Sequence, residues 1–229
     1  MSIAPHPDFR VQKLRIGREQ APLVVIDNLV ADADKLVEMA AGKTFVDVTN
    51  NYPGVRTKTP LAYQQLVRDL LRGEVAAYFG LDGSRLHFTA CHFSLVTTPP
   101  EKLTPLQRLP HVDSNKGNEL AFVHYLFKAD LGGTAFYRHR KTGFEVIDQA
   151  RPEYWRHFEA DKGGPDDQPP FAYISGDTAL YEQIDRQAAV FNRLLLYRRN
   201  SLHSCNLGPD FVLDSNPRTG RLTINGFLA

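Results

Sequence analysis

The sequence predicts an α+β fold that is mainly β, an antiparallel sandwich or open barrel braced by N-terminal helices. From about residue 85 onward, short segments of alternating, aromatic and β-branched residues are separated by turns rich in glycine and proline. The first third instead contains two segments with apolar residues at helical spacing. No repeat, low-complexity tract or composition break marks a linker. We therefore expect one domain over residues 1–229, with an N-terminal support in 1–84 and a β core in 85–229.

The N-terminal support begins with a short buried-type strand at residues 23–26. Asp32 can cap a helix over residues 33–41, and a turn follows at 52–54. Apolar residues at helical spacing then predict a second amphipathic helix over residues 60–79, ended by Gly80.

The β core is predicted from alternating segments that are interrupted twice. A proline-rich loop at 97–110 and a segment at about 151–190 break the β pattern, and we interpret the second as an insertion with two short helices around a turn. Loops on a rigid scaffold usually determine specificity, so these two segments are the expected substrate-shaping elements. The predicted strands lie at residues 86–96, 119–127, 134–138, 144–148, 192–197 and 220–227.

The composition speaks against several function classes. The 229 residues are 42% hydrophobic and 23% charged, with a formal net charge of +1. That balance supplies enough apolar residues for a sizeable core and does not favour disorder. It indicates neither a nucleic-acid-binding surface nor a polybasic membrane patch, and a near-neutral chain more often acts on a small molecule or another protein.

The cysteines and the N-terminus bear on where the protein works. Cys91 and Cys205 lie far apart in no metal-type spacing, so we expect no disulfide framework and a reducing compartment. The N-terminus lacks the apolar stretch of a secretory signal, and no apolar segment is long enough to span a bilayer. We expect a cytoplasmic protein without a membrane partner.

The strongest chemical signal is His111-x-Asp113 together with His203 far downstream. Side chains two residues apart on an extended strand project from the same face. One more imidazole from a distant strand completes two histidines and one carboxylate on one side of a metal ion. That arrangement leaves open positions opposite, as a non-haem Fe(II) oxygenase requires. A His-x-Asp triplet alone is weak, and the neighbouring motifs have to support it.

In order along the chain, these motifs resemble the Fe(II)- and 2-oxoglutarate-dependent dioxygenases, nearest to the prolyl 4-hydroxylase-like branch. Within that branch the chain is most similar to a bacterial group of unknown function (DUF6445-like), so no substrate is carried over. Two N-terminal segments, 26–29 and 52–56, also resemble the family's support, and the resemblance covers roughly residues 22–228. The matching elements of the core are His111-x-Asp113, residues 121–126, residues 132–136, residues 193–197, His203 and residues 220–223.

The resemblance implies a double-stranded β-helix, jelly-roll or cupin-like, with Fe(II) held by His111, Asp113 and His203. It also implies 2-oxoglutarate and O2 as co-substrates, and hydroxylation of an aliphatic C–H on a small-molecule or peptidyl substrate. The metal would supply the oxidising chemistry, and the protein would supply the geometry and a dry pocket.

A bound 2-oxoglutarate needs a cation for its distal carboxylate, because burying an unpaired carboxylate costs several kcal/mol. Arg221 is the candidate, since alternation on its strand places Arg221 and Thr223 on the cavity face and Leu222 and Ile224 on the other. Arg221 lies 18 residues after His203, about twice the family's usual spacing. An insertion at residues 209–217 accounts for the difference if it bulges as a loop.

Four further residues are open to two interpretations. Arg218, in the turn before the last strand, is the rival cation for 2-oxoglutarate. Tyr125 lies where related enzymes place a tyrosine that reaches the same carboxylate, although a core aromatic is equally consistent. On the opposite face of the same strand, His124 is predicted to be structural. Around Arg138, the locally basic residues 136–140 predict a solvated strand end rather than an anion-binding site.

Two other functions stay open. One is a non-catalytic metal- or ligand-binding module on the same scaffold, favoured by the Arg221 spacing and by the 90 residues between Asp113 and His203. The other is a cupin-type metal hydrolase or isomerase. That class would need a further His or Glu near His111, whereas the next acid, Glu119, opens a new strand.

Overall fold

The computed structural model describes residues 3–47, 52–163, 169–208 and 211–229. Its strands are β1 Arg10–Ile16, β2 Ala21–Asp27, β3 Val46–Asp47, β4 Gly54–Lys58, β5 Phe88–Val96, β6 Leu120–Tyr125, β7 Gly133–His139, β8 Tyr181–Ala188, β9 Leu194–Arg198, β10 His203–Asn206 and β11 Leu222–Leu228. Its α-helices are α1 Ala33–Ala41, α2 Leu61–Leu71, α3 Glu74–Tyr78 and α4 Pro152–Asp161, with short 3-10 turns at Gly83–Arg85, Pro100–Lys102 and Pro105–Arg108.

The strands form two antiparallel sheets. The large sheet has the order β1-β2-β9-β6-β11-β5-β4-β3, and the small sheet has the order β10-β7-β8. Every paired strand runs antiparallel to its neighbour. The predicted mainly β fold, with a large antiparallel sheet and few helices, is confirmed.

The large sheet is covered by helices on one face and by the small sheet on the other. Because side chains alternate along β6, Leu120 and Phe122 pack with α1 and α2, whereas Ala121 and Val123 face the second cluster. That second cluster also contains Phe136 from the small sheet, so it lies between the sheets. Leu222 and Ile224 join the helix-side cluster, as their alternation predicts.

The N-terminal helices differ from prediction in one respect. Helix α1 has the predicted bounds, and the Asp32 side chain accepts a hydrogen bond from the Lys35 amide at 3.0 Å. The single helix predicted over 60–79 is instead α2 and α3, which break at Gly73. The helix breaks there because glycine is the weakest non-proline helix former. The apolar spacing continues across Gly73 and therefore did not reveal the break.

The segment at 151–190 contains one helix and one strand rather than two helices. Helix α4 is present, but residues 181–188 form β8, which pairs with β7 and completes the small sheet. The β8 sequence is largely polar and half-buried, so its strand conformation depends on the β7 ladder rather than on apolar alternation. The predicted strand at 144–148 is only an isolated bridge between Val146 and Ser201.

Besides the two-residue β3, two strands of the large sheet were not predicted. β1 is mostly exposed and pairs with β2, and β4 lies in a segment predicted only as a turn and loop. Both depend on neighbours that a local pattern does not show. No α-helix in the described parts of the chain is long and apolar enough to cross a membrane.

The prediction of a solvated strand end around Arg138 is wrong. Arg138 is 7% exposed and its guanidinium pairs with the buried carboxylate of Glu145 and with Glu182. His139 is fully buried, with Nε2 3.0 Å from an oxygen of Asp161. Carboxylates from other segments pair with these basic side chains, and this pairing offsets the cost of burying them.

Candidate metal centre

The structure brings His111, Asp113 and His203 together. One possible ligand atom from each residue lies within 4.8 Å of the others, and this is the only such group of three among the described residues. The His111 Nε2 atom is 3.7 Å from Asp113 Oδ1, and the His203 Nε2 atom is 3.5 Å from Asp113 Oδ2. Both separations are below the sum of two metal–ligand bonds of about 2 Å each, so an ion can bind Asp113 together with either histidine.

Backbone pairing holds the two histidine segments in register. The His111 amide donates to the His203 carbonyl at 2.9 Å, and the His203 amide donates back to the His111 carbonyl at 3.0 Å. The Asp113 amide donates to the Arg199 carbonyl at 2.8 Å, and the Arg199 guanidinium donates to the Asp113 carbonyl at 3.0 Å. The 90 residues of sequence between Asp113 and His203 are therefore bridged by direct hydrogen bonds.

The tautomer of His203 is determined by its neighbour. Its Nδ1 atom lies 2.9 Å from the Ser201 carbonyl oxygen, which can only accept, so Nδ1 carries the proton. The lone pair is left on Nε2, which points toward Asp113. A backbone carbonyl that orients a ligating imidazole in this way is typical of metal-bound histidines.

His111 is the most accessible of the three residues, with 45% of its side chain exposed to the pocket that it lines. Burial within the pocket walls, and then the neighbouring His203 imidazole, lower the pKa of His111 to about 4. The ring is therefore neutral at physiological pH, as a metal-ligating imidazole must be.

The group lies in the wall of a pocket of about 540 Å³, within the range of small-molecule sites. Both sheets contribute to the pocket, through Val123 and Asn225 from the large sheet and Thr134 and Ser204 from the small one. Tyr197 of β9 also lines it. The pocket fits a small molecule or a side chain rather than a folded partner.

Arg221 and Arg218 lie in different environments. Arg221 is 3% exposed and lines the pocket, where Nε donates to the Leu131 carbonyl at 3.2 Å and Nη2 donates to the Gly133 carbonyl at 2.7 Å. It has no ion pair with any described residue. Arg218 is on the surface, bound to Glu38 at 2.6 and 2.8 Å.

Tyr125 and Thr223 are buried beside the pocket without lining it. The Tyr125 hydroxyl is 2.7 Å from Thr134 Oγ1, and Thr134 does line the pocket. The Thr223 hydroxyl donates at 2.7 Å to the side-chain oxygen of Asn225, which also lines it. Each residue therefore reaches the pocket through a second side chain.

His124 is a structural residue, as its position on β6 indicates. The imidazole is completely buried and lies between the Tyr63 hydroxyl, 3.0 Å from Nδ1, and the Asn192 side-chain oxygen, 3.2 Å from Nε2. It stands on the opposite face of the sheet from the pocket, with the helix-side cluster.

Sequence reasoning missed several pocket residues. Tyr52 and Arg56 were noted only as part of an N-terminal support motif, yet both line the pocket because β4 pairs with β5. Asn225 continues the polar alternation of Arg221 and Thr223, and that signal would have found it. Trp155 of α4 carried no signal, because a helix docked on a pocket is not visible in local sequence.

The fold and site define the class of protein that this chain resembles. The structure of the epimerase SnoN in complex with Fe³⁺, alpha ketoglutarate and nogalamycin RO matches over 93% of this chain and 79% of its own, at 14% identity and a TM-score of 0.50. HygX from Streptomyces hygroscopicus, with nickel, 2-oxoglutarate and hygromycin B bound, matches over 94% and 87%, at 10% identity and a TM-score of 0.44. The likeness to SnoN is one of fold, and it agrees with the resemblance expected from the sequence.

The sequence identifies the family itself. Residues 7–228 match the family described as "Family of unknown function (DUF6445)", and the chain belongs to this family. No curated protein matches the sequence significantly. Placement in the prolyl 4-hydroxylase-like branch stays a prediction.

Proposed function

We propose that the protein is an Fe(II)- and 2-oxoglutarate-dependent oxidoreductase that hydroxylates an aliphatic C–H of a small-molecule or peptidyl substrate. One observation carries the proposal: His111, Asp113 and His203 converge in the wall of a pocket that also contains the buried guanidinium of Arg221. The likeness to SnoN, whose structure holds Fe³⁺ and alpha ketoglutarate, supports it. The two facing sheets would then be the halves of a double-stranded β-helix.

The proposed metal ligands are Nε2 of His111, one carboxylate oxygen of Asp113 and Nε2 of His203. Two neutral imidazoles and one carboxylate suit Fe(II) and leave positions open for a keto acid and O2. When bound, iron and 2-oxoglutarate supply the oxidising power for C–H hydroxylation. The protein holds these ligands in place through the paired backbones of the two histidine segments.

Arg221 is the proposed anchor for the distal carboxylate of 2-oxoglutarate. Two of its five N–H groups bond to backbone carbonyls, which fixes the guanidinium plane and leaves donors for a carboxylate. Burial of a cation without an acidic partner is costly, so an anionic ligand would stabilise it. Tyr125 and Thr223 would support this subsite through Thr134 and Asn225.

The test is an anaerobic titration of metal-free protein with Fe(II) and then 2-oxoglutarate, followed by visible absorption of the chelated keto acid. We expect the band to appear in the wild type and to be absent in His111→Ala, Asp113→Ala and His203→Ala. Arg221→Gln should weaken 2-oxoglutarate binding by about 100-fold, since a charge-assisted bidentate contact is lost.

Arg218→Gln is the matched control, because it removes an arginine three residues away that is bound to Glu38 on the surface. It should titrate as the wild type does. If Arg218→Gln rather than Arg221→Gln weakens the band, the anchor is misassigned. If iron binds and no band forms, the protein is a metal-binding module rather than an oxygenase.

A further inference from the structure

A second guanidinium, that of Arg56, lines the pocket without an ion pair to any described residue. It lies over the ring of Tyr52, with its central carbon 3.9 Å from the ring centroid. The Arg56 Nε atom is buried and has no hydrogen-bond partner within the described structure. A buried donor without an acceptor, on a guanidinium that lines a pocket, indicates that a polar ligand can bind there.

Burial strengthens this indication. It lowers the pKa of Arg56, while the ring of Tyr52 and the carboxylate of Asp113 act in the opposite direction. Asp113 is not within ion-pair distance of Arg56 and is committed to the metal group. Arg56 is half-buried, and an anion that accepts from its unpaired Nε–H would stabilise it.

Part of the pocket lining is apolar and partly exposed. Leu106 and Trp155 are each 37% exposed, and both line the pocket together with Phe158. Exposed large apolar side chains that line a pocket are typical of a surface that a ligand covers.

The apolar rim is held in a fixed position. Leu106 lies in the turn Pro105–Arg108, where Thr104 and Gln107 form a reciprocal capping box. Arg108 donates through Nε to the Leu103 carbonyl at 3.0 Å and through Nη1 to the Pro169 carbonyl at 3.1 Å. These bonds tie the proline-rich loop to the segment after α4, so the rim is preorganised.

We infer that the substrate is an amphipathic carboxylic acid, with its carboxylate bound by Arg56 and its apolar body covered by Leu106 and Trp155. One guanidinium presents a bidentate fork of the size of a carboxylate. A phosphate dianion would call for several donors, and Arg221 is assigned to the co-substrate. This inference names the substrate class of the function proposed above and rests on it.

The experiment uses metal-free protein, so that no carboxylate can bind through iron. Trp155 is the only tryptophan of the chain, and its fluorescence therefore reports occupation of the rim. The probes are 4-phenylbutyrate and octanoate, each compared with the amide of the same carbon skeleton. We expect each acid to bind about tenfold or more tightly than its amide, since only the acid forms a charge-assisted hydrogen bond.

Three variants separate the contribution of the carboxylate contact to affinity from that of the apolar contact. Arg56→Gln should abolish the preference for the acid and leave amide affinity unchanged, which also shows that the variant is folded. Arg56→Lys should retain part of the preference, because charge remains without the fork. Leu106→Ser should weaken acid and amide equally.

Arg218→Gln, at a surface arginine bound to Glu38, is the matched control and should leave the affinity for the acid unchanged. The inference is overturned if acid and amide bind equally, or if Arg221→Gln removes the preference and Arg56→Gln does not. The iron and 2-oxoglutarate titration is independent of this result. If the absorption band of the chelated keto acid is absent and acid binding still depends on Arg56, the proposed oxygenase function is wrong. If the band forms and acid binding does not depend on Arg56, only the proposed substrate class is wrong.

Discussion

At the residue scale, His124 shows how a buried polar group links the fold to pH. The imidazole is enclosed between Tyr63 and Asn192, and burial lowers its pKa to about 4, although the Asn192 hydrogen bond acts in the opposite direction. The unfolded chain would titrate near 6.5. Between these two pH values the His124 imidazole is protonated in the unfolded state and neutral in the folded state.

We therefore expect this histidine to contribute stability that is complete above about pH 6.5 and is lost as the pH falls toward 4, a difference on the order of 3 kcal/mol. Urea unfolding of wild type and His124→Gln at several pH values measures it. The free energy of unfolding should depend less steeply on pH in the variant over that window. His87→Gln, at an exposed histidine, is the control and should keep the wild-type slope. Parallel curves for wild type and His124→Gln would contradict the assignment.

At the element scale, Asn192 connects the segment before α1 with two strands of the large sheet. It precedes β9 with a φ of 66°, its side-chain oxygen accepts from the Val30 amide at 3.1 Å, and its side-chain nitrogen donates to the Val30 carbonyl at 2.8 Å. Its backbone amide donates to the Tyr125 carbonyl at 2.9 Å. The entry to α1 is thereby fixed to the β6–β9 pair.

Replacement of Asn192 separates backbone strain from side-chain bonding. Asn192→Gly keeps the left-handed conformation but leaves the buried Val30 groups unpaired, which should cost about 2–4 kcal/mol of unfolding free energy. Asn192→Ala should cost about 1 kcal/mol more, because alanine is disfavoured at positive φ. Chemical denaturation measures the free energy of unfolding of both variants.

Asn28→Gly is the control, because Asn28 also has a positive φ but makes a single side-chain hydrogen bond of 3.3 Å. It should change the free energy of unfolding by less than about 1 kcal/mol. A loss as large as that of Asn192→Gly would show that the hydrogen bonds to Val30 are unimportant.

At the scale of the whole molecule, the metal group joins two separate parts of the chain. Asp113 follows the proline-rich loop, and His203 begins β10 in the small sheet. These residues come together only in the folded state, so a metal ion that needs all three stabilises the native protein by mass action.

Fe(II) at about 100 times its dissociation constant should add about 2.7 kcal/mol to the free energy of unfolding. For a chain of this length that raises Tm by roughly 5–10 °C, which anaerobic thermal unfolding can measure. The Asp113→Ala variant should show no rise, and Arg218→Gln should show the full rise. An equal rise in Asp113→Ala would mean that the metal binds elsewhere.

Local pattern alone predicted the elements with their own apolar periodicity. Helix α1 with its Asp32 cap, β2, β5 and β11 follow from spacing and capping, because each buries an apolar face that is visible in its own residues. β1, β4 and β8 were missed because most of their residues are polar or half-exposed, and they become strands only by pairing with a neighbour. Strands of this kind depend on the hydrogen bonds to a neighbouring strand rather than on propensity.

For the site, the sequence by itself determined the donors, and the tertiary structure decided which of them share a pocket. Ligand chemistry depends on residue type and spacing, so the sequence was enough to identify His111-x-Asp113, His203 and the alternation around Arg221. The assignment of Arg218 to the surface, the carbonyl that orients His203, and the arrival of Arg56 and Trp155 at the pocket depend on contacts between distant segments. Burial and partner choice are properties of packing, so only the folded molecule reveals which charges are neutralised and which are left for a ligand.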